Sequence, residues 1–423
     1  MGKSDSTWRP AWAVALVAVL LAATAACGDA DDDSAGGSSS GSDGGSSGGE
    51  CDVPGISDDE IKIGALTALS GPYAPFYGPV ASGWTARIEE QNAAGGVGGR
   101  EITIESADDG TEVNAGLSAA RRLVEEEGVY AMLVASTVTA GFAEYLNQEG
   151  IPVAGYNVNP EWGMYDNMFG GLGSNSPDPV ATTTIGDFLV DQGVTKLAVI
   201  AYSTPGTQAA AEQGAASFEA AGGEVVLKSL DAPASNVEWT QQAGEVAESG
   251  ADGVFIPIPT PSAVPAYAAI RQAGVEPKVA LLPAGYSPAT IDQAGEAAEG
   301  LVFSLNFVPF EQEVEGHRRI LDALEQYAPD APRSAETVAG YLGADVLIRG
   351  LEEAGAECPT REAFVENLRQ VDDYDAGGVL NPALDFEEGF AQPLLRCLHF
   401  VRIEGGEFVP LTEGEALCGD VVG

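Results

Sequence analysis

The residues of this sequence that could do chemistry are hydroxyl, amide and aromatic side chains that stand directly after short apolar runs. Ser136 and Thr137 follow one such run, and Asn157 and Asn159 follow the next, just before Pro160. A hydroxyl residue at the start of a predicted helix can cap it, and the free backbone N–H groups there favour an anion. Amide side chains both donate and accept hydrogen bonds, and before a proline they also favour a turn. These residues are candidate binding groups, and the amide pair has a purely local alternative.

Catalytic motifs are missing from the sequence. We find no GxSxG, no HExxH and no P-loop. The two histidines, His317 and His399, are isolated, and no CxxC pair accompanies them, so we expect no metal site and no cofactor. The run 31–33 of aspartates lacks the ligand spacing of a calcium loop. An enzyme is therefore disfavoured.

The charge balance is strongly acidic. There are 64 Asp and Glu against 19 Lys and Arg, which gives a formal net charge of −45. Such a surface repels phosphate backbones, so we expect no nucleic acid partner. A salt-rich habitat is one explanation of the charge, and composition leaves it open.

Five cysteines divide into one near the start and four in the body of the chain. Outside the cytoplasm, Cys51, Cys358, Cys397 and Cys418 are candidates for two disulfides, and three pairings are possible. We favour Cys358 with Cys397, which leaves Cys51 with Cys418 to join the two ends.

Short apolar runs alternate with amphipathic stretches throughout the body of the chain. This pattern predicts strands joined by helices, and hence parallel sheets with right-handed crossovers. A single sheet would be too long, so we predict an α/β fold with two doubly wound, parallel-sheet lobes, whose ligands bind at the carboxyl ends of the strands. The predicted strands are 61–66, 101–106, 130–135, 151–156, 196–202, 224–230, 253–258, 278–282 and 301–307, and helices include 80–94, 112–127, 208–221 and 237–249.

The first residues predict export. Lys3 and Arg9 precede the apolar run 11–23, which is shorter than the ~20 residues that span a bilayer. The following segment resembles the lipobox of bacterial lipoproteins, which implies a signal peptide over 1–26 and a lipid on Cys27; an ordinary signal peptide cut nearby is the alternative. Residues 27–57, rich in Gly, Ser and Asp, predict a flexible tether to the cell membrane.

Several segments in order resemble one family. The opening 61–72 (IKIGALTALSGP), the pair Asp108 and Asp109, the segment 149–153 (EGIPV), and the later 297–300 (AAEG) and 385–389 (DFEEG) carry the likeness over about residues 58–410. They are similar to the branched-chain amino-acid (Leu/Ile/Val) binding proteins, the type I periplasmic binding proteins of ABC transporters. The cluster 95–99 (GGVGG) stands between a helix and a strand, which is the wrong order for a dinucleotide loop and predicts a tight turn.

The resemblance implies two lobes that close like a Venus flytrap around a solute. Three hinge crossings are expected near 176–178, 304–308 and 387–392. They divide the chain into an N-terminal lobe of 58–177 plus 306–387 and a C-terminal lobe of 178–305 plus 388–423. It also implies an extracytoplasmic protein, a permease partner and a monomer.

Family positions also imply ligand contacts. Ser136, with Thr137 beside it, matches the hydroxyl that binds a ligand carboxylate, and Phe76 or Tyr77 matches an aromatic lid. The remaining candidates are loop residues, namely Tyr156, Asn157, Asn159 and Trp162 in the first lobe and Tyr202, Thr260 and Tyr286 in the second.

One departure leaves the ligand open. Amino-acid binders of the family commonly have an acidic residue in the loop that here reads 283–287 (PAGYS), where none is present. An unpaired buried ammonium would cost several kcal/mol, and Asp166, Asp178 or another carboxylate would have to replace the missing acid. Amino acids, amides and small organic acids therefore all remain candidates, and a sensing ectodomain that works with a partner protein is the alternative to a transport component.

Overall fold

The structure is a computed structural model that describes residues 51–71, 73–172, 180–233, 238–387, 396–412 and 414–422. The predicted signal, Cys27, Asp178 and the crossing at 176–178 lie outside these residues, as do most of the tether and of the crossing at 387–392. Within the described part of the chain, no helix is long and apolar enough to cross a bilayer.

Five parallel strands form the first sheet, in the order β2-β1-β3-β4-β5. Every residue of β3 is buried, as expected for a central strand that is covered on both faces. The first four strands lie on the predicted apolar runs, whereas β5 was not predicted. The bounds are β1 (Glu60–Thr67), β2 (Glu101–Asp108), β3 (Ala131–Ala135), β4 (Val153–Gly155) and β5 (Met168–Gly170).

Helices cover both faces of this sheet, which makes it doubly wound. On one face, Val80 and Trp84 of α1 pack in one core with Ile63, whereas on the other face Leu123 and Phe142 pack in a separate core. The backbones of α1 and α10 nearly touch, because a Cβ on Gly340 would lie 2.0 Å from the Val80 carbonyl oxygen. These helices are α1 (Ala74–Ala93), α2 (Val113–Arg121) with a π-helical turn (Arg122–Glu126), α3 (Ala143–Gln148), and, later in the chain, α9 (Glu315–Tyr327), α10 (Ala335–Glu353) and α11 (Arg361–Leu368).

The second sheet runs in the order β12-β11-β10-β9-β8-β6-β7, with β13 paired to β11. Its strands β6 to β10 are parallel, but β11 pairs antiparallel with β10, β12 and β13, which corrects the expectation of wholly parallel sheets. The strands are β6 (Lys196–Tyr202), β7 (Glu224–Ala232), β8 (Gly253–Phe255), β9 (Val279–Leu282), β10 (Leu301–Leu305), β11 (Cys397–Glu404), β12 (Glu407–Pro410) and β13 (Leu417–Cys418), and the helices are α4 (Thr184–Asp191), α5 (Pro205–Ala220), α6 (Thr240–Ser249), α7 (Thr260–Gln272) and α8 (Pro288–Ala294).

Two mostly parallel sheets with helices between their strands confirm the predicted α/β fold class. The first sheet takes its strands from before residue 171, and its helices α9 to α11 lie in the chain between β10 and β11 of the second sheet. The lobe boundaries themselves stay a prediction.

The disulfides differ from the favoured pairing. Cys51 bonds Cys358, and Cys397 bonds Cys418. The expected partners Cys358 and Cys397 belong to different parts of the fold, because Cys358 follows α10 whereas Cys397 opens β11 and lies opposite Cys418 in the strand register. Arg100 also holds the segment before Cys358, since its guanidinium donates to the carbonyl oxygens of Ala356 and Glu357.

The glycine cluster at 95–99 is a tight turn between α1 and β2, as predicted. Gly96 has a φ of +69°, and a Cβ there would lie 1.8 Å from the Arg100 carbonyl oxygen. Only glycine fits such a close return of the backbone.

Candidate functional site

The carboxyl ends of β1 to β4 meet at one edge of the first sheet. Thr67 is opposite both Asp108 and Ala135, and Val134 is opposite Gly155. The segments that follow these strands therefore come together, and they carry most of the predicted first-lobe site residues. We call this edge the β1–β4 edge.

Ser136 is fully buried at this edge and is bonded within the protein. Its Oγ donates to Oδ2 of Asp109 at 2.5 Å and accepts from the backbone N–H of Val138 at 3.0 Å. The other oxygen of Asp109 accepts from the N–H of Thr111 at 2.7 Å. The single hydroxyl proton of Ser136 is thus directed to a buried carboxylate that the site prediction did not include.

The segment after Ser136 is not the helix start that was expected. It forms a three-residue 3-10 turn (Thr139–Gly141), and α3 begins only at Ala143 and is short. The hydroxyl of Thr139 lies 3.0 Å from the Ser136 carbonyl oxygen and 3.1 Å from Oδ1 of Asn159. The contact with Asn159 joins the segments after β3 and β4. Thr137, next to Ser136 in the chain, is half-buried.

Aromatic side chains border the polar edge. Phe76 is 37% exposed, stacks on Tyr156 with ring centroids 6.2 Å apart, and meets Tyr77 edge-on at 5.0 Å. Burial raises the pKa of Tyr77 well above its usual range, and the neighbouring Tyr156 and Asp109 raise it further. Burial likewise raises the pKa of Tyr156, with a smaller effect of Glu336. Both phenols therefore stay neutral and able to donate hydrogen bonds.

Exposed apolar side chains, which sequence reasoning missed, occur in the segments that leave this edge, and we call them the apolar rim. Most of the large hydrophobic side chains that are exposed in the described chain belong to the segments after β1, β2 and β4. They are Leu69, Tyr73, Phe76, Val113, Val158 and Met164. Exposed apolar groups that gather at one place indicate a binding surface.

Two predicted contacts have mainly packing roles. Trp162 is fully buried in the core that contains Phe142 and Met168. The carboxamide of Asn157 packs on β5, where a Cβ on Gly170 would lie 2.3 Å from its Cγ. Ligand contact by either residue stays a prediction.

The second-sheet candidates lie at or after the ends of three different strands, β6, β8 and β9. Tyr202 is buried and stacks on Trp239 at 6.1 Å, and Thr260 donates to the Ala284 carbonyl oxygen at 3.2 Å. Tyr286 lies in the loop after β9, and its backbone carbonyl accepts from the N–H of Ala335 at the start of α10. This contact connects the second sheet to a helix of the first.

An acidic residue does stand near the loop where the family usually has one. The Tyr286 hydroxyl donates to Oε2 of Glu311 at 2.8 Å and accepts from the Phe310 N–H at 2.9 Å. Burial raises the pKa of Tyr286, as does the charge of Glu311. Asp166, considered as a replacement for the missing acid, is instead exposed beside Arg369 and lies two residues before β5, at the opposite edge of the sheet.

Neither histidine stands in a catalytic arrangement. Burial lowers the pKa of both His317 and His399, and each bonds a backbone carbonyl, that of Val308 at 2.8 Å and that of Asn381 at 3.3 Å. Among the described residues, no group of three or more His, Cys, Asp or Glu side chains could hold a metal ion.

Known proteins with the same fold include solute-binding proteins. Residues 60–407 match the family model described as periplasmic binding protein. The Leu/Ile/Val-binding protein homolog 8 of Brucella abortus is 26% identical over 317 residues, which cover 69% of this chain and 76% of that protein.

Two solved structures share the fold at low identity. The branched-chain amino acid transporter substrate binding protein LivJ of Streptococcus pneumoniae, in complex with isoleucine, superposes with a TM-score of 0.68 at 16% identity, covering 85% of this chain and 100% of that one. A solute binding protein of an ABC transporter from R. palustris, in complex with benzoate, superposes with a TM-score of 0.63 at 19% identity, covering 86% and 98%.

Proposed function

The chain belongs to the periplasmic binding protein family, and from this premise we propose that it is the extracytoplasmic substrate-binding protein of an ABC importer. It captures a small solute between two lobes and delivers it to the permease. The observation that carries this proposal is the β1–β4 edge, where hydroxyl, carboxylate, amide and aromatic groups converge in a chain of this family. Parallel sheets bind ligands at this edge because strand ends and loops converge there.

The solute class follows from the groups at the edge. They offer hydrogen bonds from the segments after β2 to β4 and aromatic surface from Phe76 and Tyr156. Such a set of groups suits an amino acid, an amide or a small organic acid that combines an apolar body with a polar head. The solved relatives with isoleucine and with benzoate fit that range.

Attachment to the membrane is part of the proposal. A lipid on Cys27 and the flexible tether over 27–57 would keep the binding domain close to the permease. Replacement of Cys27 by Ser should abolish incorporation of labelled fatty acid and release the protein from cells. Continued membrane association of the variant would contradict the anchor.

Thermal unfolding of the full chain against a panel of amino acids, amides and small organic acids tests the function. A solute at 100 times its Kd that binds only the folded form adds about 2.7 kcal/mol. For about 370 residues that unfold together, this raises the melting temperature by about 3 °C. If neither the panel nor a crude cell extract shifts the melting temperature, the proposal is wrong.

Asn159→Ala then tests whether the β1–β4 edge is the site. The variant removes the amide that joins the segments after β3 and β4, so affinity for the identified solute should fall by about tenfold, the loss of roughly one hydrogen bond. Asn147→Ala, on the exposed face of α3, is the matched control and should bind as the parent does. Equal affinities of the parent and both variants would show that the solute does not bind at the β1–β4 edge.

A further inference from the structure

We propose, resting on the solute-binding function above, that Thr111 is a further solute-binding residue whose hydroxyl forms a hydrogen bond with the polar head of the solute. Thr111 follows β2 at the β1–β4 edge, and the family resemblance gives it no role. Three observations carry the inference: its backbone conformation, its unpartnered hydroxyl, and its bond to the pair that Asp109 and Ser136 form.

The backbone of Thr111 has a conformation that its own side chain disfavours. Its φ is +63°, in the left-handed region that is exceptional for a β-branched residue. Glu313 and Ala376 are the other non-glycine residues with a positive φ in the described part of the chain, and neither is β-branched. Such strain persists only where the surrounding structure imposes it, and it gathers at binding and active sites. A glycine would avoid the strain, which indicates that the threonine side chain contributes something that glycine cannot.

The hydroxyl of Thr111 lacks a partner. Its Oγ1 is buried and has no hydrogen bond to any residue that the structure describes, whereas the hydroxyls of Ser136 and Thr139 at the same edge are both bonded. Buried polar atoms without a partner are rare and indicate a place for a water or a ligand group. A hydroxyl both donates and accepts, so it can bind a carboxylate, an amide or a hydroxyl head group.

Thr111 is bonded directly to the polar centre of the β1–β4 edge. Its N–H donates to Oδ1 of Asp109 at 2.7 Å, and Ser136 donates to Oδ2 of the same carboxylate at 2.5 Å. The strained residue is therefore joined through one carboxylate to Ser136, and its hydroxyl belongs to the same group of side chains as the other candidate contacts.

The loop after β1 passes close to this hydroxyl without a side chain in between. A Cβ on Gly71 would lie 3.4 Å from Oγ1 of Thr111. Because glycine has no side chain, a displacement of the loop backbone opens the hydroxyl to a solute. The same loop carries the exposed side chains of Leu69 and Tyr73, which offer apolar surface beside the polar contact.

Affinities of variants at position 111 test the inference. Isoleucine, isovaleramide and benzoate are titrated by calorimetry into the full chain and into each variant. Thr111→Val keeps the β-branched shape and removes the hydroxyl, so affinity for each compound that binds the parent should fall about tenfold, the loss of roughly one hydrogen bond. Thr111→Ser keeps the hydroxyl and should bind within about threefold of the parent.

Two results would overturn the inference while the solute-binding function stands. One is equal affinity of Thr111→Val and the parent, and the other is a loss in Thr111→Ser as large as that in Thr111→Val. If all three compounds are silent, the panel compound that raises the melting temperature most replaces them. If the whole panel and the extract are silent too, the inference and the proposed function fall together.

Thr111→Gly separates the strain from the hydroxyl. Glycine adopts a positive φ freely, so the melting temperature of the ligand-free variant should equal or exceed that of the parent, while affinity still falls about tenfold. Ala376→Gly makes the same kind of change at a φ of +51°, in the turn between α11 and β11, and should leave affinity unchanged. Unchanged affinity in Thr111→Gly, or a lower melting temperature that shows a role in the fold, would refute the inference even if Thr111→Val does not fold.

Discussion

Replacement of Asp345 by Leu should be among the most damaging single changes to the first lobe. Asp345 lies on α10 with 8% exposure, and its Oδ1 accepts from Nε of Arg87 on α1 at 2.5 Å. Its Oδ2 accepts from the hydroxyl of Tyr374 at 2.8 Å. Arg319 of α9 approaches to 3.5 Å. One carboxylate therefore connects two helices and the segment after α11.

The magnitude follows from what Asp345→Leu leaves behind. Two hydrogen bonds that involve a charged group contribute about 1.5–3 kcal/mol each, and the guanidinium of Arg87, only 4% exposed, loses its bond to Asp345 in the interior. Removing one partner of a buried pair costs about 3–5 kcal/mol. The contact of Arg319 adds little, because its side chain is 44% exposed. We expect a loss of about 4 kcal/mol in the free energy of unfolding.

Urea unfolding followed by tryptophan fluorescence measures this loss, since Trp84 lies on α1. The triple variant Arg87→Met/Asp345→Leu/Tyr374→Phe replaces the three buried polar groups, leaves the partly exposed Arg319 in place, and should return to within about 1 kcal/mol of the parent, as apolar replacement of buried pairs often does. Asp372→Leu, at an exposed carboxylate, is the control and should change stability by about 0.5 kcal/mol or less. A loss below about 1 kcal/mol in Asp345→Leu would refute the reasoning.

Three further predictions follow from the structure. Thr67→Val replaces a buried hydroxyl that has no hydrogen-bond partner among the residues that the structure describes. The variant should stabilise the ligand-free protein by about 1 kcal/mol in thermal unfolding, and destabilisation would mean that the hydroxyl has a partner. Loss of the disulfide Cys51–Cys358, which spans 307 residues, should cost about 5.7 kcal/mol on the chain-entropy scale, against about 3.3 kcal/mol for Cys397–Cys418, which spans 21. Urea unfolding of the two paired Cys→Ala variants measures these losses. A larger loss for Cys397–Cys418 than for Cys51–Cys358 would contradict the prediction. Burial acts to raise the pKa of Asp252, but hydrogen bonds from Lys278 and the N–H groups of Lys196 and Thr195 outweigh it and lower that pKa. The stabilisation by this carboxylate is therefore present above the unfolded-state pKa of about 3.9 and is lost as pH falls towards the folded-state pKa. The difference in stability between the parent and Asp252→Asn should shrink from pH 6 to pH 3, and a constant difference would exclude the carboxylate as its cause.

Much of the fold was predictable because a strand that is buried on both faces appears in the sequence as a short apolar run. Observed strands overlap the predicted runs at 61–66, 101–106, 196–202 and 301–307 over most of their length. The strand Met168–Gly170 was missed because its three residues do not belong to a longer apolar run: Asp166 and Asn167 precede them and Gly171 follows. The antiparallel strands after residue 396 were also missed, since their pairing with β10 depends on where the chain returns to the sheet.

Several predicted site residues lie at one edge of the first sheet, whereas their ligand contacts stay a prediction and their bonding was not foreseen. Reading the residues just after each strand found Ser136, Asn159 and Tyr156, because parallel strands bring their carboxyl ends to one edge. The bond from Ser136 to Asp109 was not foreseen, although Asp109 also follows a strand. A resemblance supplies a role for Ser136, but only the packed structure shows which acceptor its proton reaches.

The sequence by itself determined the α/β class, the tight turn at 95–99 and the edge at which polar groups gather, because these depend on local periodicity and on residues near in the chain. The tertiary structure decided the disulfide partners, the acceptor of the Ser136 proton and the apolar rim around the β1–β4 edge. Those features join residues that are 307 or 27 positions apart or on separate loops, and no local pattern encodes which distant groups meet when the chain folds.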